Sequence, residues 1–255
     1  RPISTLFKYN PKNEKIIKPK ISFFKKKSGI ISSALVGVGG FSKEVIIPNL
    51  LKMKAYNSLD YLCVRKPISF LNSSSFYKNI NVVNDFNLML KNKSLDVIFI
   101  STRHKDHWQL TKNALLNKKH VFCEKPLCIN ASELKEIKSF FKKQKVAPIL
   151  VTGFNRRFSK SAKILKDFIK ESTSPIFLNY TVNADKLLPN SWIYSREGGG
   201  RNIGEACHFY DLIFFLINNN YTNIQASSIN SENKDLHKTD NFFVTLKFNN
   251  GSIAK

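Results

Sequence analysis

Reactive side chains fall at chemically useful spacings in a few stretches of this chain. In Lys119-His120-Val121-Phe122-Cys123-Glu124-Lys125-Pro126-Leu127, a short apolar, β-prone run stops at a carboxylate, an ammonium and a proline. Pro126 has no backbone donor and pushes Lys125 out of the helical region, so the strand ends there. Glu124 and Lys125 are then held at a strand's carboxyl end, where open α/β sheets place their ligands. The plainer alternative is a surface Glu–Lys pair beside a turn. In Glu197-Gly198-Gly199-Gly200-Arg201-Asn202-Ile203-Gly204-Glu205-Ala206-Cys207-His208-Phe209-Tyr210-Asp211, glycines feed a helix on which Glu205, His208 and Asp211 recur every three residues. A carboxylate beside a histidine can orient its ring and stabilise its charged form, as general acid–base chemistry needs. A histidine that only packs at a domain interface fits the same pattern.

A glycine turn supplies a third kind of chemistry. Gly37-Val38-Gly39-Gly40-Phe41-Ser42 stands between a strand at 30–36 and a helix at 43–54, bent at Pro48. Gly37 would allow the tight turn, and Gly39 would let the backbone approach a pyrophosphate at the helix N-terminus. Ser42 replaces the third glycine of the dinucleotide fingerprint. An ordinary glycine turn is the alternative. The next strand, 59–64, ends at Arg65 and Lys66 instead of the acidic residue that grips ribose hydroxyls in NAD-binding folds. A cationic pair there suits a 2′-phosphate; equally, both residues could simply be solvated.

These residues need a scaffold, and the pattern supplies one. Strands at 80–83, 96–101, 120–123 and 148–152 alternate with helices at 85–91, 106–116 and 130–144, the last opened by the capping-box-like Asn130-Ala131-Ser132-Glu133. Such alternation predicts a Rossmann-type doubly wound parallel sheet over 30–152. After Gly153 the texture changes to a helix reaching about 169, then strands at 176–183, 223–230 and 242–248. This predicts a second α+β domain over 153–255 with a mostly antiparallel sheet, apparently incomplete. Residues 1–29, with Pro2, Pro11, Pro19 and Lys25-Lys26-Lys27, read as a linker or the tail of a preceding domain.

Composition narrows the classes. The chain has 255 residues, 42% of them hydrophobic, which is enough for two modest cores and argues against wholesale disorder. Its apolar runs are too short to cross a bilayer, and no signal segment opens it. The net charge of +23 comes from 41 Lys and Arg against 18 Asp and Glu. The lysines are spread along the chain and form no stripe, so no specific nucleic-acid partner is expected. The scattered Cys63, Cys123, Cys128 and Cys207 match no metal spacing, and free thiols suit a reducing cytoplasm.

Taken together, VGVGGF, STRHKDH, KKHVFCEKPL, GFNRRF and EGGGRNIGEACHFYD resemble the glucose–fructose oxidoreductase/inositol dehydrogenase (Gfo/Idh/MocA) family, in the family's order. Several of them resemble its branch fused behind an alcohol-dehydrogenase-like domain in polysaccharide gene clusters. That fusion would explain a chain opening on a linker without Met. The resemblance implies a dehydrogenase that moves hydride between NAD or NADP and a sugar or sugar-nucleotide hydroxyl, with Lys125 and His208 at the reacting group and Glu205 as a further catalytic candidate. It implies cofactor contacts from Gly37, Gly39, Gly40, Phe41, Arg65, Thr102, His104, His107, Glu124 and Lys125. Asn155, Arg157, Trp192, Arg201 and Asp211 are its substrate-side candidates, and a homo-oligomer formed through the second sheet is its expected assembly. One position departs: the family's usual aspartate, four residues before the histidine, is Gly204 here, with Glu205 beside it. That departure keeps open an alternative, a catalytically silent dinucleotide-binding module of a larger fused protein.

Overall fold

The computed structural model describes residues 29–65, 80–144, 148–229 and 240–255. The expected linker up to residue 28, Lys66 and Asn230 lie outside the described residues.

A six-stranded sheet holds β1 (Ile31–Val36), β2 (Asn57–Cys63), β3 (Asn81–Val83), β4 (Val97–Ile100), β5 (His120–Cys123) and β6 (Leu150–Thr152) in the order β3-β2-β1-β4-β5-β6. Every pairing is parallel. The strands run apolar because both faces are covered. Ala34 and Val36 join one buried cluster with Ile98, Ile100 and Cys123, while Leu35 joins another with Leu62, Ile46 and Leu50. The strand order reverses between β1 and β4, which opens a crevice at their carboxyl ends. At the other end of the sheet, the buried Lys119 ammonium donates to the carbonyls of Asn92 and Leu95, both at 2.7 Å.

Helix starts follow local chemistry. Asp85 caps α2 (Phe86–Leu90) by accepting from the Leu88 amide at 2.9 Å. Asn130 caps α4 (Ala131–Lys143), while the Glu133 carboxylate accepts from the Ile129 amide, one residue earlier than a capping box would use. The expected bend at Pro48 takes a definite form. A π-helical turn (Ser42–Ile46) precedes α1 (Ile47–Lys52), with the Ile47 amide bonded to the Ser42 carbonyl. Proline cannot donate, so the ladder changes register just ahead of it. Helix α3 (His104–Leu116) begins two residues before the predicted start, at His104.

In the second sheet, β7 (Phe177–Leu178), β8 (Tyr221–Ser228), β9 (Phe242–Phe248) and β10 (Ile253–Ala254) lie in the order β7-β10-β9-β8, parallel only between β10 and β7. Helices α5 (Lys160–Glu171) and α6 (Cys207–Ile217) pack with it, Ile213 and Ile217 of α6 meeting Leu246, Phe248 and Ala254. The strand expected at 176–183 shrinks to two residues. Its last ladder bond runs from the Tyr180 amide to the Lys255 carbonyl, and among the described residues no strand lies beside 181–183. No described helix is long and apolar enough to cross a membrane.

The central strand β4 gives the first test. Ile98 is fully buried, and Ile98→Ala should cost about 3 kcal/mol of stability, read as a lower urea midpoint with an unchanged slope.

Candidate active site

The site assembles where β1, β4 and β5 end. The backbone turns sharply at Gly37, φ +85°, and a Cβ there would collide with the Ser101 carbonyl and lie 2.8 Å from Thr102 Cγ2. Only glycine fits this crossing. Ser42 stands in for the third glycine by being fully buried, its hydroxyl donating to the Gly37 carbonyl at 2.9 Å. A Cβ at Gly39 would meet nothing within 4 Å, so the backbone there faces open space. The Lys43 amide closes the first helical turn on the Gly39 carbonyl, which leaves the amides just before it without intrahelical partners. A bare backbone with free donors at a sheet's switch point fits the pyrophosphate of a dinucleotide. Phe41, beside it, is exposed.

Strand β5 delivers Glu124 and Lys125, the Glu124 amide still bonding the Ile100 carbonyl at 2.8 Å. The Glu124 carboxylate lies against the Cα of Gly153, where a Cβ would sit 2.9 Å from Oε1. Burial raises its pKa, against the Lys125 amide and ammonium, which lower it. Lys125 Nζ donates to the Gly204 carbonyl at 2.7 Å and so bridges the two sheets' territories. His107 fixes the next residue: its Nδ1 lies 2.7 Å from the Pro126 carbonyl and its Nε2 lies 3.2 Å from the Thr102 carbonyl. Carbonyls only accept, so the closer contact places the proton on Nδ1. Both ring nitrogens of this buried histidine face the backbone, which assigns it to holding the Lys125–Pro126 loop and leaves none for a ligand.

On the other wall, His208 meets Phe154 edge-on at 6.2 Å. Its pKa is pushed down to about 4, first by burial, then by Lys125 and Arg156, with Asp211 acting in the opposite sense. Its Nδ1 is buried without a hydrogen-bond partner among the described residues. The carboxylate that bears on His208 is therefore Asp211. Glu205 instead lies 3.0 Å from Arg201 Nε and, with Ala206, Phe209 and Ile213, lines a separate cavity of about 630 Å³. Glu205 and Ala206 belong to the π-helical turn Asn202–Ala206 ahead of α6, and the Glu205 carboxylate is engaged by Arg201 on the cavity side. Asp211 is itself held by a two-pronged pair with Arg157, Nε to Oδ2 at 2.8 Å and Nη2 to Oδ1.

The remaining candidates scatter. Arg65 pairs with Asp106 at 2.9 Å. Asn155 is exposed on a short 3₁₀ turn (Asn155–Phe158). Arg201 also donates to the Asp185 carbonyl at 2.7 Å, on the cavity side. Trp192 packs against His104 in a T-shaped contact, ring centres 4.8 Å apart, with Arg103 stacked on its face at 4.1 Å. The sequence reading passed over Arg156. Its guanidinium rests on Phe209 at 4.8 Å and acts on His208, while its neighbour Arg157 is consumed by Asp211. In an Arg-Arg doublet, only the facing carboxylate reveals which member is paired. No group of three or more potential metal ligands occurs among the described residues.

Both halves of the chain resemble known proteins. Residues 31–152 match the oxidoreductase family's NAD-binding Rossmann fold, and residues 173–255 match the same family's C-terminal alpha/beta domain. The chain belongs to the Gfo/Idh/MocA family. It is 31% identical over 178 residues to the uncharacterized oxidoreductase YrbE of Bacillus subtilis, covering 68% of this chain and 51% of that protein. Myo-inositol 2-dehydrogenase of Thermotoga maritima is 28% identical, covering 65% and 50%. The 2,7-anhydro-N-acetylneuraminate hydratase of Escherichia coli is 24% identical, covering 88% and 60%. The chain thus spans about half the length of the first two relatives. Among solved structures, myo-inositol dehydrogenase of Lactobacillus casei, in complex with NAD(H) and myo-inositol, superposes with TM-score 0.71 at 19% identity, over 88% of this chain and 66% of that one. That likeness establishes the fold.

The two depressed histidines make stability depend on pH. His104 and His208 each titrate near 4 when folded, against about 6.5 unfolded. Between those values the unfolded chain binds more protons, so stability rises with pH through the window and levels off above it. The thermal midpoint should fall as pH drops from 7 to 4.5, and His208→Asn should flatten part of that fall.

Proposed function

We propose that this chain moves a hydride between NAD and the carbinol carbon of a sugar or related polyol. The observation that carries the reading is Lys125, fixed at the end of β5 on the same edge of the sheet as the Gly37–Gly39 turn and close enough to bear on the His208 ring. The bound nicotinamide supplies the hydride chemistry. Lys125 places an ammonium where negative charge grows on the alcohol oxygen, and that charge-on-charge contact is strongest in the transition state. His208, neutral at pH 7, can take the hydroxyl proton, and Asp211 favours the resulting imidazolium. Glu124 and Gly153 shape the wall next to Lys125. Arg65 is already bonded to Asp106, so a 2′-phosphate would have to compete with that carboxylate; this supports NAD over NADP.

The finer reading, a sugar-nucleotide hydroxyl in polysaccharide synthesis with an alcohol-dehydrogenase-like domain ahead of this chain, draws on the STRHKDH, GFNRRF and EGGGRNIGEACHFYD motifs. Two cations beside His208, Lys125 and Arg156, suit a substrate that carries negative charge. Assembly through the second sheet is supported by its exposed Phe177 and Phe243.

Titration with NADH, followed by nicotinamide fluorescence, tests the cofactor half. Lys125→Ala and His208→Ala should each retain NADH binding yet lose on the order of 100-fold or more in turnover. The acid limb of kcat/KM should lie near pH 4, below the usual imidazole range. Binding without any turnover in the unaltered protein would point to the silent module.

A further inference from the structure

His104 has no task in the reading above, yet it is tightly held in the cleft. It opens α3 and is only 6% exposed. Its Nδ1 lies 2.8 Å from the Gly198 carbonyl, which fixes the proton on that nitrogen. Trp192 packs against it in a T-shaped contact, and Trp192 is held in turn by Arg103. Two further bonds tie the same segments, from the Lys105 amide to the Glu197 carbonyl at 3.1 Å and from the Lys105 ammonium to the Glu197 carboxylate. The ring is therefore pinned on several sides. Against its free face stands Gly204: a Cβ there would lie 2.9 Å from His104 Cε1 and 3.3 Å from Nδ1. The Gly204 carbonyl is also the acceptor for Lys125 Nζ.

We propose that His104 is a positioning residue for Lys125. Its imidazole occupies the space in which a side chain at position 204 would begin, and so sets where the Gly204 carbonyl stands and where the ammonium is held. This deepens the oxidoreductase reading by assigning who places its central cation. It also accounts for the glycine at 204: histidine at 104 and a side chain at 204 are mutually exclusive, and this chain has taken the first option. The uncharged ring adds no second positive charge beside Lys125, whose bonded partner is the backbone carbonyl.

The test reads Lys125 directly, with an amine-acylating reagent and peptide mass spectrometry on the full chain. Lys119, buried at the far end of the sheet, serves as the internal monitor of global opening. Gly204→Ala should displace the carbonyl and speed acylation of Lys125 relative to Lys119 by about tenfold. His104→Ala combined with Gly204→Ala should bring the ratio back to that of His104→Ala alone. A wild-type ratio in Gly204→Ala, or no recovery in the double variant, overturns the proposal. If Gly204→Ala fails to fold, His104→Ala decides alone: loss of the ring should raise the ratio, and an unchanged ratio refutes the idea. None of these readouts needs cofactor or turnover, so they stand apart from the NADH titration and the activity assays that decide the oxidoreductase reading.

Discussion

The hydrogen bond from Lys125 to the Gly204 carbonyl joins residues 79 positions apart and belongs to neither domain's own core. An ammonium can occupy such a place only if both ends are held, because a flexible four-carbon stem loses substantial rotamer entropy on being fixed. One end is held by the strand: β5 stops at Cys123, and the Pro126 carbonyl is fastened to His107. The other end is held by packing, with Gly204 wedged between the His104 ring and the Gly198 carbonyl. The parallel sheet, the α3 start and the glycine-rich turn before α6 are all needed to make that single contact.

Charge around this contact is sorted, which a net +23 alone would not suggest. Asp211 goes to Arg157, Glu197 to Lys105, Asp106 to Arg65 and Glu205 to Arg201. The pairs at the surface contribute little to stability individually. Around the cleft they tie Asp211 to Arg157, and burial makes the Glu124 carboxyl easier to protonate. Burial and Lys125 dominate the imidazoles, and both His104 and His208 stay neutral.

Most of the scaffold was legible because its signals are local. The near-continuous apolar run at 96–101, the Asp85 and Asn130 caps and the glycine turn each require particular residues at fixed offsets. The alternation of strands and helices points to a doubly wound parallel sheet, while the strand order is read from the structure. Three features were not legible, for physical reasons. The strand at 176–183 has the right alternation, but among the described residues only Phe177–Leu178 find a partner strand, in β10. Glu205 sits at helical spacing from His208, yet a π-helical turn (Asn202–Ala206) precedes α6 and Arg201 draws its carboxylate away. His104 and His107, three apart at a helix start, look alike in sequence. Only the long-range backbone shows that one holds Pro126 and the other faces Gly204.

The strength of His208 as a base then follows from a balance of neighbours. Burial and the ammonium of Lys125 disfavour its charged form, and the nearest opposing group is Asp211. Asp211 does not act at full strength, because Arg157 is bonded to both of its oxygens and offsets much of its field at the ring. A freer carboxylate would make the histidine a stronger base, but one already protonated nearer neutral pH and unable to accept a proton there. Burial, Lys125 and Arg156 keep the His208 ring neutral at pH 7, with the Asp211 carboxylate, itself held by Arg157, acting in the opposite sense. Arg157 holds Asp211 in place, while the Arg156 guanidinium rests on Phe209 and adds to the forces that disfavour a charged ring.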